Sequence, residues 1–221
     1  MSGMRQVWAW LWLGLAGISQ ACDTESVPPV IDRNNVQVWT CTAPGTPLLG
    51  FEARTTVQST LSGLVGLLMD TTSAREWVFR MNRIDLLRQD EKAGTFLLRA
   101  ESDFWPLKDR DVYLEGRVTQ HPATLAVAID SRSTPAGRHA ERPDFVRMPF
   151  MLGHWEFQPL GQGRVQVTMT GQADPGGRIP DLLVNLVIQE TPYRTLLGLR
   201  RQITAPRYQQ MHISGIREPA R

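Results

Sequence analysis

The sequence predicts an α+β domain in which a meander of antiparallel strands is closed by a long C-terminal helix. Three observations carry this expectation. Period-two alternation recurs from Val36 to Met169, with short connections and no helices of the length that parallel crossovers need. Helical spacing appears only in a short stretch after Ser59 and again beyond Pro180. The 221 residues, 42% of them hydrophobic, suffice for one sizeable core but not for two large domains. Lys and Arg number 24 against 22 Asp and Glu, with no basic stripe, so no nucleic-acid partner is expected.

Residues 1–21 read as a secretory signal peptide. Arg5 precedes the apolar run Val7 to Ile18, which is too short to span a bilayer comfortably, and Ser19-Gln20-Ala21 follows with small residues where a signal peptidase reads. Export to a periplasm or beyond is the expectation. Cleavage there makes Cys22 the first mature residue, and two routes stay open for it. Cys22 is either lipidated as an anchor or bonded to Cys41, and the even cysteine pair in an oxidising compartment favours the disulfide. Two cysteines spaced this way form no metal site, and no metal is expected.

Residues 22–35 are polar, contain Pro28-Pro29 and read as an irregular lead-in to a domain over 36–205. Val36 and Val38 begin one strand. Leu49, Phe51, Ala53, Thr55 and Val57 form one face of the next, with Glu52, Arg54 and Thr56 opposite. Leu61, Val65, Leu68 and Met69 are helical in spacing, and a second short helix over 74–81 contains Trp77, capped by Thr72 or Ser73. Strands resume at Ile84 to Gln89, Thr95 to Asp103 and Asp111 to Thr119, then at Leu125 to Ile129, Met151 to Phe157 and Val165 to Met169. The arginine-rich stretch from Ser131 to Arg147 has no period and reads as an exposed connection. Gly176-Gly177 and Pro180-Asp181 introduce the last helix, whose apolar surface runs from Leu182 to Leu199. Pro192 lies inside it, and a kink or a break near Thr191 is expected. The tail, 206–221, is expected to fray.

Searches for catalytic chemistry return nothing specific. Neither Gly161-Gln162-Gly163 nor Gly176-Gly177 has phosphate-loop spacing, and no serine sits in a nucleophile-elbow context. His121, His139, His154 and His212 do not pair at metal-ligand spacing. Glu101, Asp103, Asp109 and Asp111 stand among arginines, where structural ion pairs are the usual outcome. No catalytic residue and no cofactor is expected.

The segment Asp103-Phe104-Trp105-Pro106-Leu107-Lys108-Asp109-Arg110-Asp111-Val112 resembles the START family of lipid-transfer domains. So do Ala74-Arg75-Glu76-Trp77 and the stretch Gly176-Gly177-Arg178-Ile179-Pro180-Asp181-Leu182-Leu183-Val184-Asn185. The resemblance spans Val36 to Arg201. It implies a helix-grip fold, a curved antiparallel sheet wrapped around the C-terminal helix with an apolar cavity inside. It also implies that a lipid or other hydrophobic molecule is bound, for transfer or sensing, without a chemical step. There is little room for an N-terminal helix before the first strand, which leaves one end of such a cavity more open.

Candidate lining residues are Trp77, Phe96, Leu98, Val112, Leu114 and Trp155, with Leu183, Leu186 and Val187 from the first half of the last helix. If alternation holds from Arg110 through Val112 and Leu114, Arg110 points to the apolar side and needs a partner. That partner is a ligand's polar head or Glu101, or else Arg110 forms a rim ion pair with Asp109 or Glu101. Two other classes stay open: a hydrolase or cyclase in the same cavity, needing a convergent pair such as Glu101 with His154, or an envelope interaction module with a filled core. The chain is expected to be monomeric and to touch membrane surfaces transiently. N-terminal analysis of the exported protein is expected to begin at Cys22; an intact chain in the soluble cytoplasm excludes export.

Overall fold

The computed structural model describes residues 22, 24–42, 48–135 and 142–220, apart from the side chains of 181–183 and 185–187. The leader, 1–21, lies outside them. The strands are β1 (Ile31–Arg33), β2 (Val36–Thr42), β3 (Leu49–Gln58), β4 (Met81–Asp90), β5 (Thr95–Ser102), β6 (Asp109–Gln120), β7 (Val127–Ser133), β8 (Phe145–Arg147), β9 (Phe150–Gly161) and β10 (Arg164–Asp174). The helices are α1 (Leu61–Met69), α2 (Ala74–Trp77), α3 (Asp181–Gln202) and α4 (Pro206–Gln209). The strands form one sheet in the order β1-β2-β3-β10-β9-β7-β6-β5-β4, all pairs antiparallel, while β8 runs parallel beside the start of β6.

Alternation decides the two faces. Val38, Ala53, Phe96, Ile129, Phe157 and Val167 turn to one side and pack with Leu61 and Leu64 of α1, Trp77 of α2, and Leu196 and Leu199 of α3. This is the inner face. Close approach is needed for the fit: α3 passes α2 at Gly198, where a side chain would run into the backbone of Trp77.

Several expectations change. The lead-in is not wholly irregular, because β1 pairs with β2 across Asn34-Asn35, both in the left-handed region at φ 56° and 57°. That is the geometry a two-residue hairpin demands and asparagine tolerates. The arginine-rich connection is partly ordered: β7 extends to Ser133, and β8 docks on β6 and carries Arg147 into a buried ion pair. The last helix does not break near Thr191 but runs on through Pro192. Proline removes one helical bond, and buried Tyr193, Thr195, Leu196 and Leu199 hold the second half in place.

The tail is docked, not frayed. Tyr208 is buried, donates to Asp70 Oδ2 at 2.8 Å and stands 3.0 Å from Ser73 Oγ. Burial raises the Tyr208 phenol above its usual range; the carboxyl of Asp70 is held below its own by bonds from Thr72, Tyr208 and Ser73 that outweigh desolvation. Farther on, Glu218 accepts from the amides of Leu61 (2.9 Å) and Ser62 (2.8 Å), two donors that α1 itself cannot satisfy.

The N-terminal segment is pinned to the outer face of β2 and β3. Cys22 is bonded to Cys41 with Cα atoms 5.5 Å apart, and Trp39 Nε1 donates to Val27 O at 2.9 Å. Closing a loop with a sequence separation of 19 restricts the unfolded chain by about 3 kcal/mol. Replacing both cysteines by alanine is expected to lower unfolding free energy by about that amount, read by chemical denaturation. Thiol titration of the exported, denatured protein should find none free, and a pair of reactive thiols would contradict the bridge.

Candidate functional site

One row of residues crosses the middle of the sheet in register. Phe51 of β3 lies opposite Gly171, Gly171 opposite Gly153, Gly153 opposite Ser131, Ser131 opposite Gly116, and Gly116 opposite Phe96. The phenylalanine rings lie over the glycines beside them, since a Cβ at Gly171 or Gly116 would collide with Phe51 or Phe96. Between the rings, Gly153 and Ser131 leave the sheet backbone thinly covered. A cavity of about 790 Å³ follows this row and its chain neighbours. That volume is within the range of sites that enclose drug-sized or larger ligands.

The lining is mixed. Phe51 and Phe96 supply apolar side chains on the inner face, while among the neighbouring lining residues Leu152 and the pairs Glu115–Arg132 (2.8 Å) and His154–Asp130 (2.7 Å) alternate to the other face of the sheet. Among the described residues no group of His, Cys, Asp and Glu is arranged to hold a metal.

Of the sequence-predicted residues, Phe96 lines this cavity. Leu98, Val112 and Leu114 share its face but cluster with Ala100, Met148 and Met151 one step along the strands. Trp77 and Trp155 meet edge to face at 6.2 Å and belong to the packed core. The side chains of Leu183, Leu186 and Val187 lie outside the described residues. Gly116, Ser131, Gly153 and Gly171 are the residues that sequence reasoning missed. Their signal was present, as small residues at inward positions of otherwise apolar strands.

Arg110 does face inward and is 3% exposed, but among the described residues it forms no ion pair with Glu101 or Asp109. Its guanidinium donates to the carbonyl oxygens of Lys108, Pro175 (3.2 Å) and Gly176 (3.1 Å), and stacks on Phe104 at 4.5 Å. Burial pulls it below the ordinary arginine range, and the charge of Asp109 partly restores it. Arg110 therefore ties the β5–β6 loop to the junction between β10 and α3.

Glu101 faces the other way. It pairs with Arg99 (2.7 Å) and Arg142 (2.9 Å) on the outer face, beside buried Asp111 with Arg147 (2.7 Å) and Arg99 (3.1 Å). Burial pushes the Asp111 carboxyl up, but bonds and charge from Arg147 and Arg99 outweigh it and hold the group below the usual range. Glu101 and His154 are not brought together, since His154 bonds Asp130 instead. The example of a convergent pair offered for a hydrolase or cyclase, Glu101 with His154, is not formed.

The family model for the START domain matches residues 49–201. This chain belongs to the START domain family. A STAR-related lipid transfer protein fragment from Xanthomonas axonopodis superposes with a TM-score of 0.72 at 25% identity, covering 80% of this chain and 98% of that one. Human StAR-related lipid transfer protein 5 superposes with a TM-score of 0.73 at 15% identity, covering 82% and 88%. An uncharacterized protein of Pseudomonas aeruginosa is 28% identical over 187 residues, 85% of this chain and 90% of that one. The START fold accounts for the curved antiparallel sheet and the C-terminal helix laid against it, and it suggests binding of a hydrophobic ligand.

In this START domain, removing the Arg110 guanidinium would leave three carbonyl oxygens short of a donor, each worth about 1–3 kcal/mol when buried. Arg110→Leu is expected to lower unfolding free energy by about 3 kcal/mol. It is also expected to speed amide exchange from Gly176 into the first turns of α3. Arg110→Lys should recover little, because an ammonium cannot span carbonyls on both segments as a planar fork does. Unchanged stability would show that the cradle is dispensable.

Proposed function

We propose that this START domain encloses a lipid or another apolar molecule and carries it across an aqueous space without altering it. The observation that carries the reading is the cavity of about 790 Å³ along the glycine-floored row, in a fold whose family suggests hydrophobic ligands. The name of the similar Xanthomonas protein, a lipid transfer protein, points the same way. A chemical step lacks support from the side chains. Asp130 and His154 are paired on one side of their strands, whereas Ser131 alternates to the other side and donates to Gly153 O. Among the described residues His154 is hydrogen-bonded to Asp130, and no hydrogen bond joins it to Ser131 or to Thr170, which lies opposite it on β10; a hydroxyl nucleophile needs such a base beside it.

Export fits the same role. The Cys22–Cys41 disulfide is consistent with an oxidising compartment, and among the described residues no helix is long and apolar enough to cross a membrane. Such a carrier must touch bilayers to load and unload. Trp105, 75% exposed, is the feature suited to that contact. Its loop is braced by a bond from Trp105 N to Asp103 Oδ1 (2.7 Å) and by Arg80 on the carbonyls of Asp103 and Trp105. An indole held out in this way favours a membrane–water interface.

Native mass spectrometry of the detergent-free exported protein is expected to show a bound mass that organic extraction removes. Vesicles of phosphatidylethanolamine and phosphatidylglycerol should then reload it. Trp105→Ala is expected to slow exchange between vesicles about tenfold, worth about 1.4 kcal/mol at the transition state, while the retained mass is unchanged. A protein that carries no ligand and takes none from vesicles would overturn the reading.

A further inference from the structure

Glu52 is an outward-facing residue of β3 that solvent does not reach: it is 1% exposed. Only one of its carboxylate oxygens is used. Oε1 accepts from Arg54 at 2.6 Å, whereas Oε2 is buried with no hydrogen-bond partner among the described residues. Buried carboxylate oxygens seldom go unpaired, because the desolvation is then uncompensated.

Beside Glu52 stand Trp39, opposite it on β2, and the first described residues of the chain. Cys22 is bonded to Cys41, which lies opposite Gly50, while Arg54 Nη2 donates to Thr24 Oγ1 at 2.7 Å. Gly50, Glu52 and Arg54 follow one another on the same face of β3, so the two anchors bracket Glu52. Two residues of chain reach at most about 7 Å, about the spacing of alternate residues along β3, so with these anchors the backbone nitrogen of Cys22 is within reach of that carboxylate.

We infer that Oε2 of Glu52 accepts the α-ammonium group that leader cleavage between Ala21 and Cys22 creates. Before cleavage this nitrogen is a neutral amide with one hydrogen. Hydrolysis of the Ala21–Cys22 bond gives the hydroxyl of water to the Ala21 carbonyl carbon and a hydrogen to the nitrogen. Protonation then makes it a cation with three donors, the partner that a half-satisfied buried carboxylate lacks. The precursor can thus close its disulfide but cannot complete the contact beneath it. Processing finishes the fold, and the free amine and engaged sulfur both stand against lipidation of Cys22.

The inference rests on cleavage after Ala21, and the test separates the two. The intact mass of the exported protein first establishes whether it begins at Cys22; any other start overturns the site. Amine acylation of the folded, non-reduced protein then compares the α-amine with its lysines, Lys92 and Lys108. The α-amine is expected to react at least about tenfold more slowly than Lys92 in the native state and to lose that protection in Glu52→Gln, an effect of about 1.4 kcal/mol or more. A chain retaining Gln20-Ala21 through a shifted cleavage site should melt several degrees lower than the mature chain, but not when both carry Glu52→Gln. An α-amine as reactive as Lys92, or an extension that costs the same in both backgrounds, would overturn the pairing. Should Glu52→Gln fail to fold, acylation of the wild-type chain decides alone.

Discussion

The fold depends on how the second half of α3 is seated on the inner face of the sheet. Leu196 and Leu199 have no exposed surface, and with Tyr193 they close one end of the sheet against α1 and Trp77. The interior is filled there, as close packing requires. With that end fixed, the middle of the sheet can be lined by Gly116, Ser131, Gly153 and Gly171 without collapse. A strand face without side chains is a poor core, and it persists only because neighbouring rows supply the missing burial. Filled end and thin middle are two halves of one arrangement.

Charge is sorted by the same alternation. Arg110 and Asp111 are adjacent on β6 yet face opposite sides, and each is buried with partners of a different kind. Arg110 faces the helices and is matched by carbonyl dipoles, which hold a cation without adding a second formal charge to the interior. Asp111 lies opposite Arg147 of β8 and is matched by Arg147 and Arg99, so its burial cost is offset by full charges. The first arrangement ties two connecting segments together; the second fastens a short strand alongside the start of β6.

Much of this was legible in the sequence because a period is a local signal. The strands from Val36 to Met169 and the final helix follow from alternation and spacing, and so does the inward direction of Arg110. What escaped reading depended on distant partners. Pro192 argues locally for a kink or break, but the burial of Tyr193, Thr195, Leu196 and Leu199 is a tertiary fact that keeps the helix continuous. The tail from 206 carries no strong period and is held by α1, far away in sequence. Asn34-Asn35 was a local signal that a hairpin reading would have caught. The cavity residues escaped for a subtler reason. Apolar side chains advertise an interior, whereas the floor of this one is made from residues that have almost none.

The capping of α1 by Glu218 has a consequence for the order in which the chain is assembled. The helix is complete in covalent terms once Met69 has emerged, yet the carboxylate on its first amides lies 157 residues downstream of Leu61. Helices of this length are marginal alone; Thr60 caps the Gly63 amide locally, but the Leu61 and Ser62 amides gain their acceptor only after nearly the whole chain has left the ribosome or the translocation pore. Contacts so distant in sequence favour slow, late closure over early local growth. The first turn of this helix is therefore among the last parts to be completed, and a chain that stops short of its final few residues leaves those two amides without their acceptor.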